Sequence, residues 1–155
     1  MRIFLMTLLL MFGTQALARQ AGDKARLASA HWQCYYLIDH MNAEARSRHK
    51  NASNHHFKNS YKYVLEMHDE LNKHGEKNGD NWGKHAPVYF TWYKGGLSIE
   101  FSAGRLFQAT GDVLREEWAD PFNEKLETMT VDQVIELKQV SAESAYNEKN
   151  CDLLN

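Results

Sequence analysis

Two prolines and two cysteines are all that the chain contains of either residue. Proline inside a helix costs about 3 kcal/mol, so a chain almost free of it permits long uninterrupted helices. The two cysteines form no C-x-x-C pair, which removes the usual dithiol redox motif. They form no C-x-x-C-H, which removes covalent haem. A non-covalent haem bundle usually draws a histidine from its last helix, and no histidine follows His85. Neither sign of charge is in excess: 18 basic and 20 acidic residues give −2 at pH 7 with histidine neutral. That balance gives no support for nucleic acid or an anionic membrane surface as a partner.

Catalytic motifs are missing too. The sequence has no G-x-S-x-G, no phosphate loop and no dinucleotide fingerprint. H-E-x-x-H and E-x-x-H do not occur, and none of the eight histidines is followed by another at i+3 or i+4. No helix therefore offers a two-histidine clamp, and no metal motif, cofactor or catalytic residue is expected from spacing. Catalytic groups need not be neighbours in sequence, so enzymatic activity stays an open third reading.

Residues 1–18 read as a signal peptide. Arg2 supplies the positive start, Ile3 begins a ten-residue apolar run, and Ala16-Leu17-Ala18 is a small-x-small cleavage site before Arg19. The run is shorter than the ~20 residues of a membrane span, so no transmembrane segment is expected in the mature chain. An exported chain with two cysteines predicts one disulfide, Cys34–Cys151. Closing so long a loop is worth roughly 4–5 kcal/mol in the chain-entropy account. The expected location is the periplasm or the extracellular medium.

The remainder, 19–155, is expected to form a single helical domain. Residues 22–50 predict a first helix on the stripe Leu27, His31, Cys34, Ile38, Met41 and Ala45. A break is expected at 51–54, where asparagine and serine offer caps. Residues 55–74 predict a second helix with Phe57, Tyr61, Val64, His68 and Leu71 on its apolar face. Residues 76–87 read as a loop holding Trp82, whose isolation among polar neighbours marks it as a candidate partner anchor. Thr130 and Gln133 form a capping box for a last helix through about Tyr146.

The central stretch 88–118 admits two readings. As a helix it carries Gly96, Gly104 and Gly111 on nearly one face, a stripe that lets another helix approach. As strands, Leu97, Ile99 and Phe101 alternate with polar residues after a turn at Gly95-Gly96. The helix is preferred, because the neighbouring segments are helical and a lone hairpin is rarely stable. The expected fold is thus all-α, four-helix bundle-like, with a glycine-laced central helix at 88–118. The alternative is α+β with a hairpin at 88–102.

Two functional expectations follow. The first is a non-enzymatic, exported binding protein that recognises another envelope or secreted protein, inhibitor- or immunity-like by fold-level analogy. The second is a helical carrier of a small apolar ligand or a metal ion. For that carrier, His31 and His68 lie on predicted apolar stripes, and Tyr61 and Trp92 are among the aromatics able to line a pocket.

Overall fold

The computed structural model describes residues 2–74, 82–93, 98–119, 122 and 127–154; of 2–18, His74, Trp92 and Ala119 only the backbone is described. Among the described residues five α-helices follow one another: α1 (Arg2–His40), α2 (Ala43–Arg48), α3 (Lys50–His74), α4 (Ile99–Leu114) and α5 (Val131–Glu148). Short 3-10 turns occupy Val88–Trp92 and Cys151–Leu153, and a π-helical turn, Arg115–Ala119, extends α4. Among the described residues there is no strand, and the fold is all-α. None of these helices is long and apolar enough to cross a membrane.

The first break falls earlier than the sequence suggests. Asn42 adopts an extended conformation, and its side chain accepts a 2.9 Å bond from the Ala45 amide, so α2 begins there. The expected break at 51–54 lies inside α3. His49 donates to the Ala45 carbonyl and Ser53 donates to the His49 carbonyl, so helical bonding carries over the α2–α3 joint and leaves 51–54 no free ends to cap.

The central stretch is helical where it is described, but not one helix. Pro87 precedes the 3-10 turn at Val88–Trp92, and Tyr93 ends it in an extended conformation. Ser98 then caps α4: its Oγ accepts from the Phe101 amide at 3.3 Å and its carbonyl from Ser102 at 3.0 Å. Ile99, Glu100 and Phe101, expected as strand residues in the hairpin alternative, are the first residues of α4. Gly95 and Gly96, and the turn they would form, lie outside the described residues. At its two described positions the glycine stripe does not seat a helix backbone. Gly104 faces open space, and Gly111 takes the Tyr36 ring.

The chain divides into two compact units. The first comprises Met1–Ala28 and Tyr61–Leu106. Its core gathers Ala21, Ala25 and Ala28 of α1, Val64 and Met67 of α3, Trp82, Phe90 and two residues of α4, Ala103 and Leu106. Gly22 lets the turn at 82–85 lie directly on α1: a Cβ there would stand 2.9 Å from the His85 carbonyl carbon. Lys24 pairs with Glu66 in the same unit.

The second unit comprises Ser29–Ser60 and Phe107–Asn155. Its core is Cys34, Leu37, Ile38 and Met41 of α1, Ala45, Leu114, Ala142 and Tyr146 of α5, and Cys151. The expected capping box starts α5: Gln133 N donates to Thr130 Oγ1 at 3.3 Å and Thr130 N to Gln133 Oε1 at 2.9 Å. Asn150 ends the helix region in the left-handed conformation, φ 52°, which asparagine tolerates well. The chain turns there, and Cys151 joins Cys34 across 117 residues, with Cα atoms 5.7 Å apart.

The buried face of α3 differs from the predicted stripe. His56, Ser60, Val64 and Met67 are buried, whereas Phe57, Tyr61 and Leu65 are 47, 37 and 36 % exposed. The helix is turned by less than one residue, roughly 65°, and Val64 lies on both faces. The polar members of the inward face are satisfied: the Ser60 hydroxyl donates to the Phe57 carbonyl at 2.7 Å, and His56 enters the network described next. Hydrogen bonding removes most of the cost of burying them.

Candidate functional site

Three imidazoles meet in the second unit. His31 projects from the inward face of α1, three residues before Cys34, and His55 and His56 from the first turns of α3. Ring centroids lie 5.2 Å apart for His31–His56, 5.6 Å for His55–His56 and 5.7 Å for His31–His55. One nitrogen from each ring falls within 4.8 Å of the other two. His31 and His56 are buried, and His55 is exposed.

The hydrogen bonds around the cluster fix which nitrogens carry hydrogen. The Tyr146 hydroxyl donates to Asp152 Oδ1 at 2.7 Å. Its one hydrogen is thereby used, so at 3.4 Å it accepts from His56 Nε2. His56 then keeps a lone pair on Nδ1, which faces His31 Nδ1 at 2.9 Å, and His31 donates across that gap. A directed chain runs from α1 to the C-terminal turn: His31, His56, Tyr146, Asp152. On His55, Nε2 lies 3.2 Å from the Leu154 carbonyl, which only accepts, so this nitrogen carries the hydrogen and Nδ1 is left with its lone pair. The Asn59 side-chain nitrogen lies 2.9 Å from the same Nε2 and 3.5 Å from Nδ1, so its amide must turn over to present the oxygen to that hydrogen.

Charge is kept off the two buried rings. Burial, followed by the neighbouring imidazoles His56 and His55, lowers the His31 pKa from 6.5 to about 4. Burial and His55 lower that of His56 to about 4, against the opposing pull of Asp152. Burial and the bond to Asp152 push the Tyr146 phenol far above its ordinary value, so it remains a donor. Neutral imidazoles with free lone pairs are the form that ligates a metal. Two ligands of a tetrahedral zinc ion, each 2.0–2.1 Å from it, stand roughly 3.3 Å apart. The His31–His56 pair at 2.9 Å therefore needs to open by only a few tenths of an ångström. His31 would shift its hydrogen to Nε2. Three ligands leave a fourth position, on the side where His55 is exposed, for water or an exchanging ligand.

The residues singled out in the sequence fall in different surroundings. His31 is a member of the cluster. His68 belongs to the first unit, where Nδ1 bonds the Tyr93 hydroxyl and Nε2 accepts from Asn72 at 2.8 Å. Tyr61 is part of the exposed strip on α3. The Trp92 side chain lies outside the described residues. Trp82 is only 6 % exposed, because the turn at 82–85 folds onto Gly22, so its ring is not presented to a partner. His55 and Asp152 carried no helix-spaced signal, and that of His56 was passed over for the more apolar stripe beside it. The available clue was the 4, 4, 3 spacing of His56, Ser60, Val64 and Met67.

A second feature of this unit is a half-open cleft of about 210 Å³ lined by Tyr36, His40, Gln108, Gly111, Asp112, Leu114, Arg115 and Trp118. Its aromatic walls are pinned. Tyr36 donates to the Phe107 carbonyl at 3.1 Å, and Trp118 Nε1 donates to Ser141 Oγ at 3.1 Å. Burial, with the Asp112 carboxylate behind it, raises the Tyr36 phenol to about 12.

Comparison with protein-family models, with curated proteins and with solved structures finds no match to this chain.

Proposed function

We propose that the protein is an exported carrier of a divalent transition-metal ion, held by His31, His55 and His56. The observation that carries this reading is the convergence of three imidazole nitrogens within 4.8 Å. Its support comes from the hydrogen bonds that leave lone pairs on His55 and His56, and from the burial that keeps His31 and His56 neutral. Neutral imidazole ligands suit zinc, copper(II) and nickel(II) over the hard cations magnesium and calcium. The leader-like pattern at 1–18 and the disulfide support a location outside the cytoplasm for this carrier.

Titration calorimetry with Zn²⁺ at pH 7 tests it. Wild type takes up one ion per chain, and His55→Ala, which alters an exposed ring, weakens binding at least tenfold. Binding unchanged in His55→Ala, or no stoichiometric uptake by wild type, refutes the proposal.

A second reading, recognition of another envelope or secreted protein, is favoured by the outward strip Phe57, Tyr61 and Leu65 at i, i+4 and i+8 on α3. A photo-crosslinking residue at Tyr61 would capture such a partner in living cells. Recovery of uncrosslinked chain alone would count against it.

A further inference from the structure

The metal site takes much of its geometry from the last residues of the chain. The Leu154 carbonyl orients His55 at 3.2 Å. Asp152 holds the Tyr146 hydroxyl, which holds His56 Nε2. Both supports come from a short turn whose own backbone bonds are local: Leu153 N to Asn150 O, and Leu154 N to Cys151 O. The backbone joins that turn to the end of α5, and the disulfide of Cys151 with Cys34 ties it to α1. Cys34 lies one helical turn beyond His31 on α1, so the same bond ties the helix that carries His31 to the turn whose hydrogen bonds orient His55 and His56.

We propose that the Cys34–Cys151 disulfide gates the metal site: the oxidised protein holds the ion and the reduced protein releases it. The inference rests on the metal-carrier reading above. A dithiol reductant transfers two electrons and two protons to the cystine. The sulfur–sulfur bond breaks, Cys34 and Cys151 become thiols, and the reductant closes its own disulfide. Residues 151–154 then stay joined to α5 through the backbone but are held against α1 only by non-covalent contacts. Binding a metal must now order this turn as well as the imidazoles, and that ordering opposes association. Loss of outer-shell partners of metal-bound histidines lowers affinity by about 10- to 100-fold. Coupling is reciprocal, so the bound ion makes the disulfide harder to reduce by the same factor.

The experiment measures Zn²⁺ affinity by competition with a chromogenic chelator. It compares wild type, Cys34→Ser/Cys151→Ser, Tyr146→Phe and Asp152→Asn, with circular dichroism confirming helicity in each. The serine pair reproduces loss of the crosslink without leaving thiols that would themselves bind zinc. Both single variants, on the relay to His56, keep the disulfide: Tyr146→Phe removes the oxygen that accepts from His56 Nε2, and Asp152→Asn replaces the charged acceptor of the Tyr146 hydroxyl with a weaker neutral one. They decide the matter if the serine pair does not fold. The gate predicts wild-type binding, a loss of about 10- to 100-fold in the folded serine pair, and about tenfold in each relay variant. A folded serine pair that binds as tightly as wild type overturns the gate and leaves the metal site standing. Should the serine pair not fold, unchanged affinity in both relay variants does the same. Failure of wild type itself to take zinc overturns the metal reading, and the gate with it.

Discussion

Two glycines on one helix should respond to alanine in opposite directions. Gly104 and Gly111 both lie in α4 (Ile99–Leu114), and each replacement by alanine gains up to about 1 kcal/mol of helix propensity. At Gly104 nothing stands within 4 Å of the new methyl group, so the gain is kept. At Gly111 a Cβ would lie 2.5 Å from Tyr36 Cζ and 2.6 Å from its hydroxyl oxygen. The ring must retreat by about 1 Å to restore ordinary contact. Retreat is resisted by Phe107, stacked on Tyr36 at 4.8 Å, and it breaks the 3.1 Å bond from the hydroxyl to the Phe107 carbonyl. Overpacking of this kind costs about 1–3 kcal/mol and the lost hydrogen bond about 1. The expected net is a gain of up to about 1 kcal/mol for Gly104→Ala and a loss of about 1–3 for Gly111→Ala. Urea unfolding followed by far-ultraviolet circular dichroism resolves this, since 1 kcal/mol moves the midpoint by roughly 0.5 M. In a Tyr36→Ala background, Gly111→Ala should become neutral or stabilising. Both variants moving the same way in the wild-type background would refute the packing described for Tyr36.

Other outcomes follow from the same structure. His31 and His56 have folded-state pKa values of about 4 against 6.5 when unfolded, so between those values the unfolded chain binds the extra protons. Stability of the metal-free protein is therefore complete above pH 6.5 and falls as the pH drops toward 4, by up to about 3 kcal/mol for one ring. Urea midpoints at pH 7.5, 5.5 and 4.5 check this, and a flat profile would contradict the buried, neutral pair. Gly22→Ala would press on the backbone of His85 and should lift the turn at 82–85 off α1. A red shift of tryptophan emission as Trp82 meets water is the readout, and an unshifted spectrum would show that the approach is not tight.

Much of the architecture is legible in the sequence, because it rests on local signals. The capping box at Thr130, the pairing of the only two cysteines and the helical period before residue 74 each act within a few residues or by elimination. The break between the first helices is misplaced because Asn42 and Asn51 are equally good caps in isolation. Only the helical bonding across the α2–α3 joint selects Asn42. The face of α3 is misjudged for a related reason. Hydropathy ranks Phe57 and Tyr61 above His56 and Ser60, but hydrogen bonds make the polar pair cheap to bury: His56 bonds His31 of α1 and Tyr146 of α5, and Ser60 bonds the Phe57 carbonyl of its own helix. The histidine cluster needs that rotation, and its three members come from positions 31, 55 and 56. Spacing along a single helix carries no trace of it.

X-ray absorption at the zinc edge of the loaded, oxidised protein tests the central claim most directly, because it counts ligands. The account predicts three imidazole nitrogens at about 2.0–2.1 Å, with one further light atom completing the shell. A shell of oxygen donors with one imidazole or none would place the ion elsewhere and contradict the assignment of His31, His55 and His56.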